Sequence, residues 1–421
     1  MTRPTVHAPA ADGASRVVRT LKDGYWDRTE VVQLGDGSLR VRKTSKGDAP
    51  PGPWGVAALR KEIEYLSTLP ESARAVFPPV LAAWDDTAAE PARVGYEVPF
   101  YADHVDAGEL ARKGALAQVE IDLFQGMLAE ALFERVHAPT VGQEPGEGSR
   151  TVRRRRKSSG PRSAPSVVED QPEEQPLSAH VVSVVEHALH ALEAEPELAR
   201  LIRAESIRLN GGPQAGPRMA FARALADGAI IAALDAEPQV RLHGDLLLEN
   251  MLWRRAEVVP SPGADRAAPA ARHEAPPREA SEPGQRDDAS SISPRLVLID
   301  PVSVAGVASG PPLFDLVKYE SYATGVLPAL RFGWLDVGGF DGGDDYWTQV
   351  RWQSAELAPF LTFDWHTRFR RAFEAKYGPV ERRAFHLIDG YFNVAMAVNT
   401  NGTQRRARLL KATQDFNAAG K

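Results

Sequence analysis

Cysteine is absent from the 421 residues. That excludes disulfides, zinc–thiolate centres and thiol nucleophiles, and it agrees with a cytoplasmic setting. No apolar run reaches the roughly eighteen residues of a membrane-spanning helix, so no membrane association is expected. The first fifteen residues, "MTRPTVHAPAADGAS", lack the apolar centre of a signal peptide and read as a flexible leader. Positive charge is in deficit: 50 Lys and Arg stand against 56 Asp and Glu, for a net charge of −6. Phosphate backbones need a basic field, so a general nucleic-acid binder is excluded. Walker A, H-E-x-x-H and G-x-S-x-G motifs are missing, which removes the corresponding enzyme classes.

What remains is a chain with 43% hydrophobic residues, enough for a sizeable core. Its first hundred residues alternate strand, strand, strand, helix, strand, strand. The strands are "RVVRTL", "TEVVQL", "SLRVRKT", "PPVLAAWDD" and "RVGYEVPFYA". Asp36-Gly37 marks a hairpin turn. Leu59, Ile63 and Leu66 fall at i, i+4 and i+7 in "GVAALRKEIEYLSTL", an amphipathic helix. From Gly108 the pattern turns helical. "LAQVEIDLFQGMLAEALFERVH" places Leu116, Val119, Leu123 and Met127 on one face, and four further segments have helical period. Residues 141–177 and 260–294 are rich in Pro, Ala, Ser and charge. They are expected to be disordered inserts, because they cannot bury enough apolar surface to offset chain entropy. The Arg153–Lys157 run in the first reads as a solvated stretch.

"RLHGDLLLENMLWRR" (241–255) sets His243, Asp245 and Asn250 inside an apolar stretch. Neither an amphipathic helix nor a plain strand explains this. Without the second insert, the segment leads into "RLVLIDPVSVAG", where Asp300 ends a strand. A loop that delivers Asp245 and Asn250, followed by a strand pair that returns Asp300 beside Asn250, gathers two carboxylates and a carboxamide. Such a set suits magnesium, a hard ion that takes oxygen ligands and substrate phosphates. The insert then lies at a hairpin tip, where length is tolerated.

These residues resemble the aminoglycoside phosphotransferase family, within the kinase-like small-molecule phosphotransferases. His243-Gly244-Asp245 with Asn250 looks like the family's H-G-D-x-x-x-x-N loop. Ile299-Asp300 looks like its metal-binding aspartate, and "GPPLFDL" (310–316) is similar to its G-D-P-x-x-D-L segment, with Pro311 in place of the first Asp. The resemblance covers roughly residues 16–400 less the inserts. It implies an α+β, protein-kinase-like two-lobed fold: a β-rich N-lobe over 16–107 and a mainly helical C-lobe over 108–421. It also implies ATP and Mg2+ as cofactors and a small-molecule hydroxyl acceptor, most simply a sugar, aminosugar or aminoglycoside-like metabolite.

Roles follow from the resemblance. Asp245 orients or accepts the proton of the attacking hydroxyl, and Asn250 and Asp300 hold the metal. His243 and Asp315 support the loop structurally. Period-two alternation puts Lys43 on the face of Leu39 and Val41, so Lys43 resembles the phosphate-contacting lysine, with Lys46 the alternative in a shifted register. Glu62 resembles its helix partner, and Glu64 competes. "EVPFYAD" resembles the hinge, with Glu97, Phe100 and Tyr101 at the nucleotide base. One glycine, Gly24, occupies the loop where protein kinases have three. The acidic "FDGGDDYW" (340–347) offers Asp341, Asp344 and Asp345 to a cationic acceptor, although a solvated loop is the simpler explanation. A catalytically weak kinase-fold binding or regulatory protein is the alternative. A protein kinase is disfavoured, because no A-P-E-like element follows Asp300. Oligomeric state is not encoded in any of these features.

Overall fold

The computed structural model describes residues 15–24, 27–46, 55–86, 93–137, 176–235, 238–255, 295–302 and 307–421. The expected leader apart from Ser15, the Arg153–Lys157 run, and the inserts 141–177 (but for Pro176 and Leu177) and 260–294 lie outside these residues. The five N-terminal strands form one antiparallel sheet. They are β1 (Arg16–Asp23), β2 (Asp27–Gln33), β3 (Leu39–Ser45), β4 (Ala82–Asp86) and β5 (Arg93–Pro99), in the order β1-β2-β3-β5-β4. The Asp36-Gly37 turn joins β2 to β3. Gly37 has a φ of +85°, and Ser38 donates its N–H and its hydroxyl to the Asp36 side chain at 2.8 and 2.6 Å. Central β3 sets Lys43 opposite Thr29 and Tyr96. Helix α1 (Gly55–Ser67) crosses the sheet and buries Leu59, Glu62, Tyr65 and Leu66, while Ile63 is half-buried and Glu64 is exposed.

The rest is mainly helical, built on two apolar clusters. One runs from α1 and β5 through the helix Gln118–Glu130 to the helix Thr367–Tyr377. The other lies among the helices Leu177–Leu192, Pro217–Leu225, Arg382–Ala397 and Gly402–Ala419. Three expectations need correction. The helix after residue 117 buries Ile121, Phe124 and Leu128, whereas Val119 (73% exposed) and Leu123 (44%) face solvent. Its sequence carries two apolar stripes, and the one with the larger ring won the core. The helix gives way to a π-helical turn at Ala131–Val136, which delivers His137 into the interior. The stretch "RMAFARALADGAIIAAL" (218–234), whose helical period predicts one helix, is two helices, because Asp227 caps the second by accepting the Ala229 N–H at 2.8 Å. A four-stranded sheet was also not expected. Ser206–Leu209, Gly212–Ala215, Leu335–Gly338 and Asp345–Val350 form it, with one parallel pairing.

No helix among the described residues is long and apolar enough to cross a membrane. The helices Arg382–Ala397 and Gly402–Ala419 pack on each other at Gly390 and Phe416. A Cβ on Gly390 would stand 2.5 Å from the ring of Phe416, which is fully buried and cannot retreat. Gly390→Ala therefore overpacks this contact at a cost of about 1–3 kcal/mol, against which better helix propensity offsets at most about 1 kcal/mol. Equilibrium urea unfolding should show a net loss of stability. An unchanged or higher midpoint would mean that the helices are free to move apart.

Candidate active site

The polar loop is fixed from two sides. Met251–Trp253 pairs antiparallel with Leu296–Leu298, with Met251 opposite Leu298. The Ile299 N–H extends the ladder by donating to the Asn250 carbonyl at 2.9 Å. Asn250 and Ile299 are thus neighbours, Asp300 follows at once, and residues 256–294 join two paired strands. On the other side lies Asp315, buried in the first turn of the helix Leu313–Ala323. Gly244 has a φ of +79°, a conformation open to glycine at little cost. The turn it makes aims two successive N–H groups, those of His243 and Gly244, at the two oxygens of the Asp315 carboxylate, each at 2.8 Å. Nε2 of His137 lies 3.0 Å from the same carboxylate.

His243 is fully buried, and its ring stacks on Phe77. Its Nε2 donates to the Ile299 carbonyl at 3.1 Å, and its Nδ1 accepts the Asp245 N–H at 3.3 Å. Both nitrogens are used by the neutral ring, which ties the loop to the segment carrying Asp300. Glu249 braces the loop's far end. It accepts from Arg112 at 2.6 Å and Tyr322 at 2.9 Å, and it pairs with Arg331 at 3.0 Å.

Both oxygens of Asp245 are held. Oδ2 accepts from Asn250 Nδ2 at 3.0 Å, and Oδ1 pairs with Lys318 at 3.2 Å. Burial pushes the Asp245 carboxyl upward, but Lys318 and Arg331 outweigh it and hold the group below the usual carboxylate range. Asn250 also donates to the Asp245 carbonyl at 2.8 Å. Two acceptors on its nitrogen fix the amide's orientation and leave its oxygen on the opposite side.

Facing this loop is a buried cation. Lys43, 6% exposed, donates to Glu62 at 2.8 and 3.1 Å and to Asp300 at 3.1 Å. Tyr96 donates to Glu62 at 2.7 Å. Lys22 stands 3.4 Å from the other Asp300 oxygen. Burial works against the charge on Lys43, yet Asp300 and Glu62 raise its pKa well above the ordinary value. Asp300, which burial alone would raise, is held well below the carboxylate range by Lys43 and Lys22. Glu62 is the weaker acid, raised by burial to about 7. Asp27 lies 3.8 Å from Lys43, with its Oδ1 buried and unpartnered among the described residues. Asp300 and Val302 have φ values of 51° and 70°. A positive φ is tolerable for Asp and costly for a β-branched residue, so backbone strain is concentrated here.

Two cavities meet at Lys43 and Asp300. The larger, about 810 Å³, runs from Asn250 and Asp300 to Phe100, Tyr101 and Phe332. The smaller, about 300 Å³, opens beside Asp245, Lys318 and Asp389. Of the expected residues, Lys43, Asn250, Asp300, Phe100 and Tyr101 border the first, and Lys43, Glu62, Asp245 and Asp300 border the second. Lys46 is elsewhere, donating to the Gly24 carbonyl at 2.6 Å and pairing with Asp23. Glu97 is not at the cavity. Its carboxylate takes Arg42 at 2.7 Å and Arg40 at 3.1 Å, and its carbonyl accepts the Leu81 N–H. It sits opposite Arg42 in the ladder, on the face turned away from Lys43.

Asp341, Asp344 and Asp345 are also outside both cavities. Asp344 pairs with Arg200, and Asp345 lies in the strand beside Ser206–Leu209. Sequence reading missed Lys22, Lys318, Asp389 and Arg408. A signal existed for Lys318, which lies three residues after Asp315 and so on the same helix face.

The donor chemistry fits a hard divalent ion. Among the described residues no cluster of three or more His, Cys, Asp or Glu has a metal-holding arrangement. Magnesium needs only one or two protein oxygens, the rest coming from phosphates and water. The Asp300 carboxylate and the fixed Asn250 oxygen meet that requirement.

No family model and no curated protein matches the chain. It is similar to several solved structures. One is a candidate fructosamine-3-kinase from Thermobifida fusca (16% identity, TM-score 0.41, 96% of this chain and 93% of that one). Another is a glucosamine kinase solved with glucosamine, ADP and inorganic phosphate (15%, 0.37, 98% and 95%). A third is a macrolide 2'-phosphotransferase from Brachybacterium faecium (12%, 0.34, 95% and 91%).

The neutral His243 yields a pH prediction. Burial lowers its pKa against the pull of Asp315 and Asp245. A depressed histidine contributes stability that is full above the unfolded value near 6.5 and lost as pH falls toward the folded one. Thermal unfolding at pH 7.5 and 5.5 should show a steeper loss for the wild type than for His243→Gln, by up to about 1.4 kcal/mol per pH unit within that window. Equal losses would mean that His243 titrates normally.

Proposed function

We propose that the protein is an ATP- and Mg2+-dependent small-molecule kinase that moves the γ-phosphoryl group to an alcohol. The observation that carries this reading is the meeting of two cavities at Lys43 and Asp300. A polar loop with an ionised Asp245 lies on the side of the smaller cavity, and an aromatic-edged space lies along the larger one. In this reading residues 16–107 form the nucleotide-binding lobe and 108–421 the catalytic and acceptor-binding lobe of a kinase-like fold.

The larger cavity takes the nucleotide, with its base toward Phe100 and Tyr101. Lys43 and Lys22 meet the phosphates, and Glu62 keeps Lys43 extended. Asn250 and Asp300 hold magnesium, which supplies charge neutralisation of the phosphate oxygens when bound. The acceptor enters the smaller cavity. Its hydroxyl oxygen forms the new bond to the γ-phosphorus, and the bond from that phosphorus to the bridging oxygen breaks. The electron pair leaves with ADP. The hydroxyl proton passes to Asp245 and then to water. With its pKa held low, Asp245 acts mainly by accepting the hydroxyl's hydrogen bond and aiming its lone pair, and it takes the proton late. Lys318 and Asn250 set the direction of its two oxygens.

Mass spectrometry of acceptor pools incubated with Mg·ATP tests this directly. An added phosphate should appear in one pool. Asp245→Asn should fold, because the amide keeps the side chain's shape and one acceptor oxygen, yet lose about three or more orders of magnitude in turnover. Wild-type-like turnover in that variant would remove Asp245 from the chemistry. Absence of both transfer and ATP hydrolysis in the wild type would favour a kinase-fold binding protein.

A further inference from the structure

The smaller cavity contains one cation that has no ion-pair partner among the described residues. Arg408, on the helix Gly402–Ala419, is 4% exposed and lines the cavity with Asp245, Lys318, Asn393 and Gln404. The other cations around it are matched. Lys43 and Lys22 meet Asp300, Lys318 meets Asp245, and Arg331 meets Glu249. Arg408 forms no ion pair among the described residues. Its one hydrogen bond there runs from Nη1 to the Asn393 oxygen at 3.4 Å, beyond the normal range. Its Nε is buried with no partner.

The one carboxylate that favours the charge on Arg408, Asp389, does not make up the deficit. Asp389 accepts from Ser321 at 2.7 Å and from Asn393 at 3.2 Å on one oxygen, and from Lys411 at 2.7 Å on the other. Lys411 also bonds Asp415, so that group is closed on itself. Burial, and then the neighbouring Arg331, weaken the guanidinium's hold on its proton to about 10, which leaves it charged at neutral pH. A guanidinium carries five N–H donors in a planar fork that matches carboxylate and phosphate. Keeping one buried with a single long bond is costly unless something else occupies the fork.

We propose that Arg408 receives an oxyanion carried by the acceptor, a carboxylate or a phosphate monoester, so that the acceptor is an anionic hydroxyl compound and not a cationic aminosugar. This rests on the kinase reading above, because it takes the smaller cavity as the acceptor's. It also fits the finding that the acidic loop at Asp341–Asp345 lies outside that cavity. The bond to the anion anchors one end of the molecule while its hydroxyl reaches Asp245. Arg408 is thus a binding residue for the acceptor.

The test has two arms. In the first, Mg·ATP is incubated with four separate pools: sugar acids and hydroxy acids, sugar phosphates, neutral sugars, and aminosugars with aminoglycosides. Product is expected in one of the two anionic pools, and which one answers distinguishes carboxylate from phosphate. For that acceptor, Arg408→Met should raise KM by about tenfold or more with little change in kcat, and Arg408→Lys should recover part of the loss. Product only in the neutral or cationic pools, or an unchanged KM in Arg408→Met, would overturn the proposal while leaving the kinase intact.

The second arm needs no turnover. Thermal unfolding in low-anion buffer should show Arg408→Met melting at or above the wild type. Added inorganic phosphate should raise the melting temperature of the wild type more than that of the variant. A variant that melts several degrees lower, with equal responses to phosphate, would make Arg408 a structural residue and sink the proposal. A phosphate response that depends on Arg408, with neither transfer to any pool nor ATP hydrolysis, would refute the kinase and with it the acceptor role of Arg408.

Discussion

The arrangement depends on one buried ammonium group. Lys43 projects from β3, meets Glu62 on α1, and reaches Asp300 at the end of the strand Leu296–Leu298. Three separate stretches of chain are fixed relative to one another by that contact. A buried ion cluster is a poor source of stability, since desolvation offsets much of the attraction, and an apolar substitute often serves as well. A charged cluster nevertheless stands here, with strained backbone at Asp300 and Val302 beside it, and the proposed phosphate and metal site accounts for both.

The second constraint is the Asp315 carboxylate, which gathers the backbone of His243 and Gly244 and the ring of His137. Through that turn it sets the position of Asp245, and through the His243 ring it sets the distance to the Asp300 segment. The loop and the Asp300 segment are therefore held to each other. Electrostatics then separates the carboxylates by role. Asp245 and Asp300 are held ionised by cations on either side. Glu62, more deeply desolvated, is the one that holds Lys43 in place.

The legible part of the sequence was the part whose logic is local. The five strands and α1 follow from period-two and period-3.6 patterns, and alternation within β3 alone put Lys43 inward and Arg42 outward. His243, Asp245 and Asn250 stand out because the nine residues between two short strands, 242–250, hold them among leucines. Asp300 was reachable because it ends an apolar strand. What was not legible depends on tertiary competition. Gln118–Glu130 has two apolar stripes, and only the packing of Phe124 against Trp253 and Trp365 decides between them. The four-stranded sheet joins short strands far apart in the chain, one pair of them parallel. Glu97 was placed by analogy with a hinge, but its position opposite Arg42 turns it outward. Asp389 and Arg408 lie in segments whose apolar spacing reads as ordinary helix, and nothing local marks either as facing a cavity.

The claim that Asp300 and Lys43 form the phosphate and metal end of a nucleotide site is tested most directly by calorimetric titration of ADP, with and without magnesium. The account predicts binding by the wild type that tightens in magnesium. It predicts loss of that magnesium effect in Asp300→Ala, while the variant's unfolding remains cooperative. Equal affinity with and without magnesium in the wild type, or an undiminished magnesium effect in Asp300→Ala, would contradict it.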